Sequence, residues 1–409
     1  MISRNLRHLR LFLAVSDLGS VTLAAGQLNI TQPAVTQAIA KLEAAAGGDL
    51  FERTRQGFFP TSRGLILAGR TRRAFATLDP PLSELSPRLR LVTSNAQLTA
   101  LIAVCETENF TLAARSLGLA QPTVHRAISQ LEQEAGRALF QRTAFGLVAS
   151  RAARDLAQAA RLAFRELEQA EADLAEAEGR EVGTIVIGAL PMARSVLLPG
   201  ALAAFRKLRP VQPVQVAEGR YDELLTGLRR GEIDLIVGAL RDPQPIRDIV
   251  QTPLFQDSMA ILARNDHPLA GAADLTPARL AQQQWVVPRQ GTPARAQFDA
   301  LFADAGVAPP VSIIEAGSIL LMREMLTRGD FLGCISELQA GAEIRHGLIR
   351  RLDVPADWTL RPIGVTTREN WQPTAAQSLM LDLLRDEAAL AREDTRHKGI
   401  ATSPDDLPL

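Results

Sequence analysis

Residues 31–43 read TQPAVTQAIAKLE, and residues 120–132 read AQPTVHRAISQLE. Each is an amphipathic stretch that starts with Gln-Pro, and alone each would be an ordinary helix start, since proline is favoured in a helix's first turn. What decides the fold is that the words recur 89 positions apart, inside a longer match. Laid over one another at that offset, residues 1–61 and 90–150 align without a gap. The identities include Ala14/Ala103, Thr22/Thr111, Leu28/Leu117, Gln32/Gln121, Pro33/Pro122, Glu43/Glu132, Gly47/Gly136, Phe51/Phe140, Arg53/Arg142 and Gly57/Gly146. A repeat of about 60 residues is a duplicated domain, not a solenoid unit.

Each copy predicts three helices and a hairpin. Leu6, Leu9, Phe12 and Leu13 recur at helical spacing and form a buried face. SVTLAAGQLN gives a short second helix with Ser20 as N-cap. Thr31 caps a third helix running to about Ala46, which Gly47 and Gly48 end. Val35, Ile39 and Leu42 then face inward, leaving Gln32, Thr36 and Gln37 outside. FERTRQGFFPT (51–61) reads as a hairpin wing with glycine at its tip. A short helix, a turn and a helix with a polar N-terminal half suit the DNA major groove. Amides and hydroxyls match the groove's donors and acceptors, and Arg53 and Arg55 in the wing would hold phosphates.

Charge agrees. The net charge is zero, yet residues 1–78 hold ten Lys/Arg against four Asp/Glu, and 89–150 hold five against four. A basic front end suits a polyanion. With 409 residues, 46% hydrophobic and 22% charged, the chain has the composition of a soluble globular protein of two to four domains. No apolar run reaches the roughly 18 residues of a membrane span, and the charged N-terminal stretch predicts no secretion signal. Two cysteines, Cys105 and Cys334, offer no disulfide framework and suit the cytoplasm.

Both copies resemble the winged helix-turn-helix of the LysR-type transcriptional regulators. The residues that carry the resemblance are TLAAGQLNITQPAVTQAIAKLEAAAGGDLFERT (22–54) and TLAARSLGLAQPTVHRAISQLEQEAGRALFQRT (111–143). It implies double-stranded DNA as partner, met by Thr31, Gln32, Pro33, Thr36, Gln37, Arg53 and Arg55 in the first copy. In the second the corresponding surface is Gln121, Thr123, His125, Arg126 and Arg142. There Ala120 stands where a capping Ser or Thr is usual and Ala144 replaces Arg55, so the first copy is expected to hold phosphates better. The resemblance also implies self-association as dimer or tetramer, and contact with RNA polymerase.

TSRGLILAGRTRRAFATL (61–78) and the Ala/Leu-rich 150–179 follow the copies as linker helices. Leu156, Ala160, Ala163, Leu167, Ala170 and Leu174 fit a seam against another helix. In the resembling family such helices pair two subunits. A tandem chain can pair 61–78 with 150–178 within itself, as a pseudo-dimer. In the competing view one copy binds DNA and the other is an assembly surface. Asp79-Pro80-Pro81 is read as the stop of the first linker, and 79–94 as a connector.

From Val182 strands and helices alternate: GTIVIGAL (183–190), PVQVAEG (213–219), IDLIVGAL (233–240), QWVVP (284–288), VSIIEAG (311–317), FLGCIS (331–336) and TLRPIGVTT (359–367), with a last helix near 374–392. Such alternation predicts parallel sheet in layered α/β units. GEIDLIVGAL and DHPLA make this half similar to the family's effector-binding domain, which looks like a periplasmic solute-binding fold. The fold class is thus two all-α winged helix-turn-helix domains with linker helices, then a two-lobed α/β effector domain. The expected boundaries are 1–61, 62–94, 95–150, 151–181 and 182–393, with a polar tail at 394–409. Lobe I is 182–257 with 346–393, and lobe II is 258–345. A small-molecule effector would sit in the cleft between them.

Ligands of open α/β sheets bind at strand C-termini beside helix N-termini, which favour anions. Ser195, Thr292 and Ser318 are the hydroxyls expected there, with Arg194 and Arg289 in the same loops. Each hydroxyl alone is as well explained as a cap of its own helix. Enzyme motifs are missing: no phosphate loop, no H-E-x-x-H, no G-x-S-x-G, and five scattered histidines without metal spacing. The reading is a cytoplasmic, ligand-responsive DNA-binding regulator, not an enzyme, with no metal or cofactor beyond the effector. The alternative is a solute-binding module whose helical front serves assembly only.

Overall fold

The computed structural model describes residues 5–144 and 146–397. The chain divides into two compact units, 1–184 and 185–409.

In the first unit, the leading head comprises α1 (Leu6–Leu18), α2 (Val21–Gln27), α3 (Gln32–Ala46), β1 (Phe51–Thr54) and β2 (Gly57–Pro60). α4 (Ser62–Leu85) and the short α5 (Leu89–Val92) lead to the second head. That head repeats the order with α6 (Asn95–Thr107), α7 (Phe110–Leu117), α8 (Gln121–Ala135), β3 (Phe140–Thr143) and β4 (Gly146–Ala149), and α9 (Arg151–Glu176) follows. The predicted inward face holds, with Leu6, Leu9 and Phe12 buried and Leu13 half-buried; Val35, Ile39 and Leu42 are buried in α3.

Several identities between the copies have structural causes. Gly47 and Gly136 end the third helix of each head with φ of 75° and 68°, where a side chain would be strained. Glu43 and Glu132 turn back from that helix to the wing: Glu43 accepts the Leu50 amide at 3.1 Å, and Glu132 accepts those of Leu139 and Phe140 at 2.7 and 3.1 Å. Each satisfies backbone donors that the strand ladder leaves open.

α4 lies along α9 of the same chain. α4 contributes Leu67, Ala68, Ala74, Phe75, Leu78 and Leu82. α9 contributes all six predicted seam residues, Leu156, Ala160, Ala163, Leu167, Ala170 and Leu174, which are buried. Both helices and both heads share one continuous apolar cluster. The 26 residues of α9 make a rod of about 39 Å. At the seam stands the charge of Arg70, whose side chain is only 4% exposed. Its Nε donates to Asp173 at 2.7 Å, and an Nη donates to Gln169 at 2.8 Å and Glu166 at 3.2 Å. Arg73 adds a second bond to Glu166 at 3.0 Å.

The first linker does not stop at Asp79-Pro80-Pro81. α4 runs through both prolines to Leu85. Proline removes two rungs from the ladder, but Leu78 and Leu82 on either side are fully buried, and Asp79 is held by Arg10 and Arg90. Tertiary packing carries the helix past a local breaker.

The second unit holds two five-stranded sheets. The first is built from β5 (Ile185–Ala189), β6 (Val214–Glu218), β7 (Leu235–Ala239), β8 (Ile249–Asp257) and, from the far end of the chain, Arg361–Arg368. α10 (Pro191–Ser195), α11 (Leu198–Leu208) and α12 (Tyr221–Arg230) connect these strands. The second sheet is built from β9 (Met259–Ala263), β10 (Gln284–Val287), β11 (Ile313–Glu315), β12 (Phe331–Ser336) and β13 (Arg350–Arg351), with α13 (Pro277–Leu280), α14 (Pro293–Ala303), α15 (Ile319–Arg328) and α16 (Gly341–Arg345) between them. The returning Arg361–Arg368 is β14, and α17 (Ala375–His397) packs on α11. The strand orders are β6-β5-β7-β14-β8 and β11-β10-β12-β9-β13.

The sheets are mixed where wholly parallel ones were expected. β14 runs antiparallel to β7 and β8, and β9 antiparallel to β12 and β13. The cause is the double crossing: β9 and β14 each enter a lobe at the edge facing the other lobe, so each must run away from it. β8 was not expected as a strand. Pro253 interrupts its pattern and is tolerated because β8 is an edge strand. The return to lobe I comes later than 346: β13 pairs with β9, and Leu352 packs in the lobe II core, so lobe I resumes at Arg361. Helix α17 continues past 394, and residues 398–409 of the expected tail lie outside the described residues.

Candidate nucleic-acid interface and effector cleft

α3 presents Thr31, Gln32, Pro33, Thr36 and Gln37 to solvent, and α8 presents Gln121, Thr123, His125 and Arg126 at matching places. Thr31 occupies the N-cap position, but its side chain makes no cap bond; proline at the helix start leaves fewer amides to satisfy. Ser20 does cap α2, accepting the Leu23 amide at 3.3 Å. Thr36 Oγ1 donates to the Gln32 carbonyl at 3.2 Å. His125 lies against the Phe110 ring, centroids 5.2 Å apart, with Nδ1 3.3 Å from Ser129 Oγ. That contact fixes the imidazole on the outer face.

In the wings, Arg55 is exposed in the turn between β1 and β2. Gly57 opens the second strand, just after the tip, and its φ of 141° is matched by 125° at Gly146. Arg53 is more committed than expected. It lies 3.3 Å from Glu43, the carboxylate that also holds Leu50, with its own side chain 58% exposed. Arg142 is exposed in the second wing.

In the second unit, β5, β6 and β7 are parallel, as are β10, β11 and β12. Their C-terminal ends therefore gather at one edge per lobe. The edges meet around a buried trio. Asp257, at the end of β8, pairs with Arg361 of β14 and accepts a hydrogen bond from Ser336 Oγ of β12 at 2.9 Å. Burial pushes the Asp257 carboxyl above its ordinary range, opposed by Arg361, Ser336 and the Leu338 amide. The Asp257–Arg361 pair lies within the lobe I sheet, and the Ser336 hydroxyl ties it to lobe II; no motif announces it.

The five expected effector residues divide. Thr292 caps α14, accepting the Arg295 amide at 3.2 Å and donating to the Arg289 carbonyl at 2.8 Å. Ser318 caps α15, accepting the Leu321 amide at 3.3 Å. Both sit where expected, beside the ends of β10 and β11. Ser195 does not. The helix after β5 starts at Pro191, so Ser195 ends α10 and lies exposed, and α11 is capped from Leu197. Arg194 is bound to Glu218 at the end of β6. Arg289 is exposed. One cation was missed: Arg241, just past β7, stacks on Tyr221 at 4.4 Å, and burial holds its pKa below the usual value. Among the described residues no group of three His, Cys, Asp or Glu converges as a metal site, and no helix is long and apolar enough to cross a membrane.

Known proteins match this division. The model of the bacterial regulatory helix-turn-helix protein, lysR family, matches twice, at 6–65 and 96–154, and that of the LysR substrate binding domain matches 178–389. The HTH-type transcriptional regulator GalR of Pseudomonas putida is 38% identical over 380 residues, covering 92% of this chain and 96% of that protein. The regulator PcaQ of Agrobacterium fabrum is 29% identical over 305 residues, covering 97% of its own length but 74% of this chain. A full-length OxyR from Pseudomonas aeruginosa superposes with a TM-score of 0.51 at 21% identity, over 72% of this chain and 98% of that one.

Neither cysteine is poised for chemistry. Cys334 is fully buried in β12 and Cys105 half-buried in α6, and burial pushes both thiols up to about 12. The thiolate, the reactive form, grows only as pH climbs toward that value, so at pH 8 about one thiol in ten thousand is ionised. In the native chain both cysteines are expected to resist a maleimide at pH 8 and to react at once in denaturant. Rapid native labelling of either would contradict this placement.

Proposed function

The chain belongs to the LysR family of ligand-responsive, DNA-binding transcriptional regulators, and from that premise we propose that one polypeptide supplies both of the DNA-reading heads that a regulator places on its operator. The observation that carries this reading is α4 lying along α9 of the same chain with Arg70 buried between them. A buried charge is costly unless paired. Here the partners Glu166, Gln169 and Asp173 all come from the other linker. Two α9 helices would face carboxylate with carboxylate, and two α4 helices guanidinium with guanidinium. The charges therefore select the pairing of unlike linkers. The DNA contacts in this reading are Gln32, Thr36, Gln37 and Arg55 of the first head and Gln121, Thr123, His125, Arg126 and Arg142 of the second, with Arg53 shared between phosphate and Glu43.

The effector in this reading is a small anion held between the lobes. Its support is the pair of capped helix N-termini at α14 and α15, with Thr292 and Ser318, together with the exposed Arg289 that precedes α14 and Arg241 just past β7; Ser195 and Arg194 contribute less. Binding shifts DNA affinity only so far as the anion prefers one lobe arrangement. RNA polymerase is the downstream partner in this scheme.

Two experiments test the proposal. Arg70→Glu places a third carboxylate at the seam and is expected to weaken retention of duplex DNA, selected from a randomised pool, by at least about tenfold, although it touches no recognition residue. Adding Glu166→Arg and Asp173→Arg is expected to recover most of the loss. Unchanged retention, or no recovery, contradicts the internal pairing. For the sensor, a member of a panel of small mono- and dicarboxylates is expected to raise the thermal midpoint of the full chain progressively with the logarithm of its concentration, the stabilisation reaching about 2.7 kcal/mol at a hundredfold excess over Kd. A rise with the matched neutral amides and none with the acids would overturn the anion assignment.

A further inference from the structure

The two heads keep the same scaffold and differ where a base edge would be read. What is retained between them is structural: the buried pairs Val35/Val124, Ile39/Ile128 and Leu42/Leu131, the wing-holding Glu43/Glu132 and the left-handed Gly47/Gly136. On the outer face of the recognition helices, Gln32 and Gln121 agree. So do Pro33 and Pro122, but other exposed positions do not. Ala34 is matched by Thr123, Thr36 by His125 and Gln37 by Arg126. Lys41 is matched by Gln130, and in the wing Arg55 by Ala144.

We propose that the two heads read unlike half-sites, so that the DNA taken by this chain is two different elements in fixed order, with Arg126 reading a guanine in the second. This rests on the DNA-binding reading above and deepens it. The chemistry follows from the donors. An exposed glutamine meets adenine N6 and N7 with its amide, whereas a guanidinium gives two parallel donors to guanine O6 and N7 and repels the adenine amino group. Arg126 sits one residue from His125, whose ring is packed on Phe110 and tied to Ser129, so the surface beside it is ordered before DNA arrives. Gln37, at the same place in the first head, has beside it Thr36, a smaller side chain whose hydroxyl donates to the Gln32 carbonyl, where His125 is a ring packed on the preceding helix. The backbone grip is uneven too: the first wing carries Arg53 and Arg55, the second Arg142 with Ala144. Two copies of one chain bound about a dyad would give identical half-sites. The pairing of unlike linkers places unlike heads together instead.

The test is selection of duplexes from a randomised double-stranded pool by the full chain, by Arg126→Ala and by Gln37→Ala. Both side chains are exposed, and an unchanged thermal midpoint checks that the variants fold. The result expected is a consensus with two distinct elements. Arg126→Ala should erase a guanine preference of about 5- to 150-fold in one of them only, and Gln37→Ala should relax the other. Loss of preference at the same positions in both variants would overturn the proposal, as would a consensus of a single element untouched by Arg126→Ala. If the unaltered chain enriches no sequence at all, the DNA-binding reading beneath it fails as well.

Discussion

The guanidinium of Arg70 is the constraint on which the N-terminal half turns. It is buried between two helices of one chain and satisfied by an aspartate, a glutamate and an amide from the opposite helix. A hydrophobic seam alone would not specify its partner, because the Ala/Leu stripe of α9 would pack against a copy of itself. The charges remove that degeneracy: like linkers would strand charges without partners, at a cost of several kcal/mol. Desolvation still tells on the acids, and burial pushes Asp173 above its ordinary range while Arg70 draws it back. In the proposed reading the charges select the partner, while the apolar residues of both helices supply the burial. Because both heads share its apolar cluster, the pairing also fixes them to one body.

The sensor half shows a related device. Asp257, Arg361 and Ser336 come from three strands, and the acid and the arginine are 104 positions apart. Asp257 and Arg361 sit where the chain crosses between lobes and are paired in the lobe I sheet, so a change in lobe geometry acts on the hydrogen bond that Ser336 of lobe II donates to this buried pair. An effector that prefers one arrangement has there a discrete element to bias. The helix N-termini of α14 and α15 lie on the same side of lobe II as Ser336, since β10, β11 and β12 run parallel.

Much of this was legible in the sequence, for definite reasons. The repeat shows because its core, caps and wing holders must recur whatever the heads read. The third helix of each head was located by Gln-Pro at its start and glycine at its end, and the seam of α9 by helical spacing. The misreadings came where distant packing overrides local signals. Pro80-Pro81 looks like a stop, yet Leu78 and Leu82 carry the helix through. Pro253 hid β8, which the edge of a sheet accommodates. The strand directions followed from the two lobe crossings, which no local pattern encodes. Ser195 was displaced because Pro191 started its helix four residues earlier. Nothing local marks Arg53 as tied to Glu43, and Arg241 carries no signal other than its own charge.

The central claim is that α4 and α9 pair within one polypeptide. A photo-crosslinking side chain placed at position 73, where Arg73 lies 3.0 Å from Glu166, tests it most directly. Ordinary and heavy-nitrogen-labelled chains are mixed unfolded, refolded together, irradiated and digested. The account predicts α4–α9 crosslinks that join only peptides of the same label; crosslinks joining ordinary to heavy peptides in statistical proportion would contradict it.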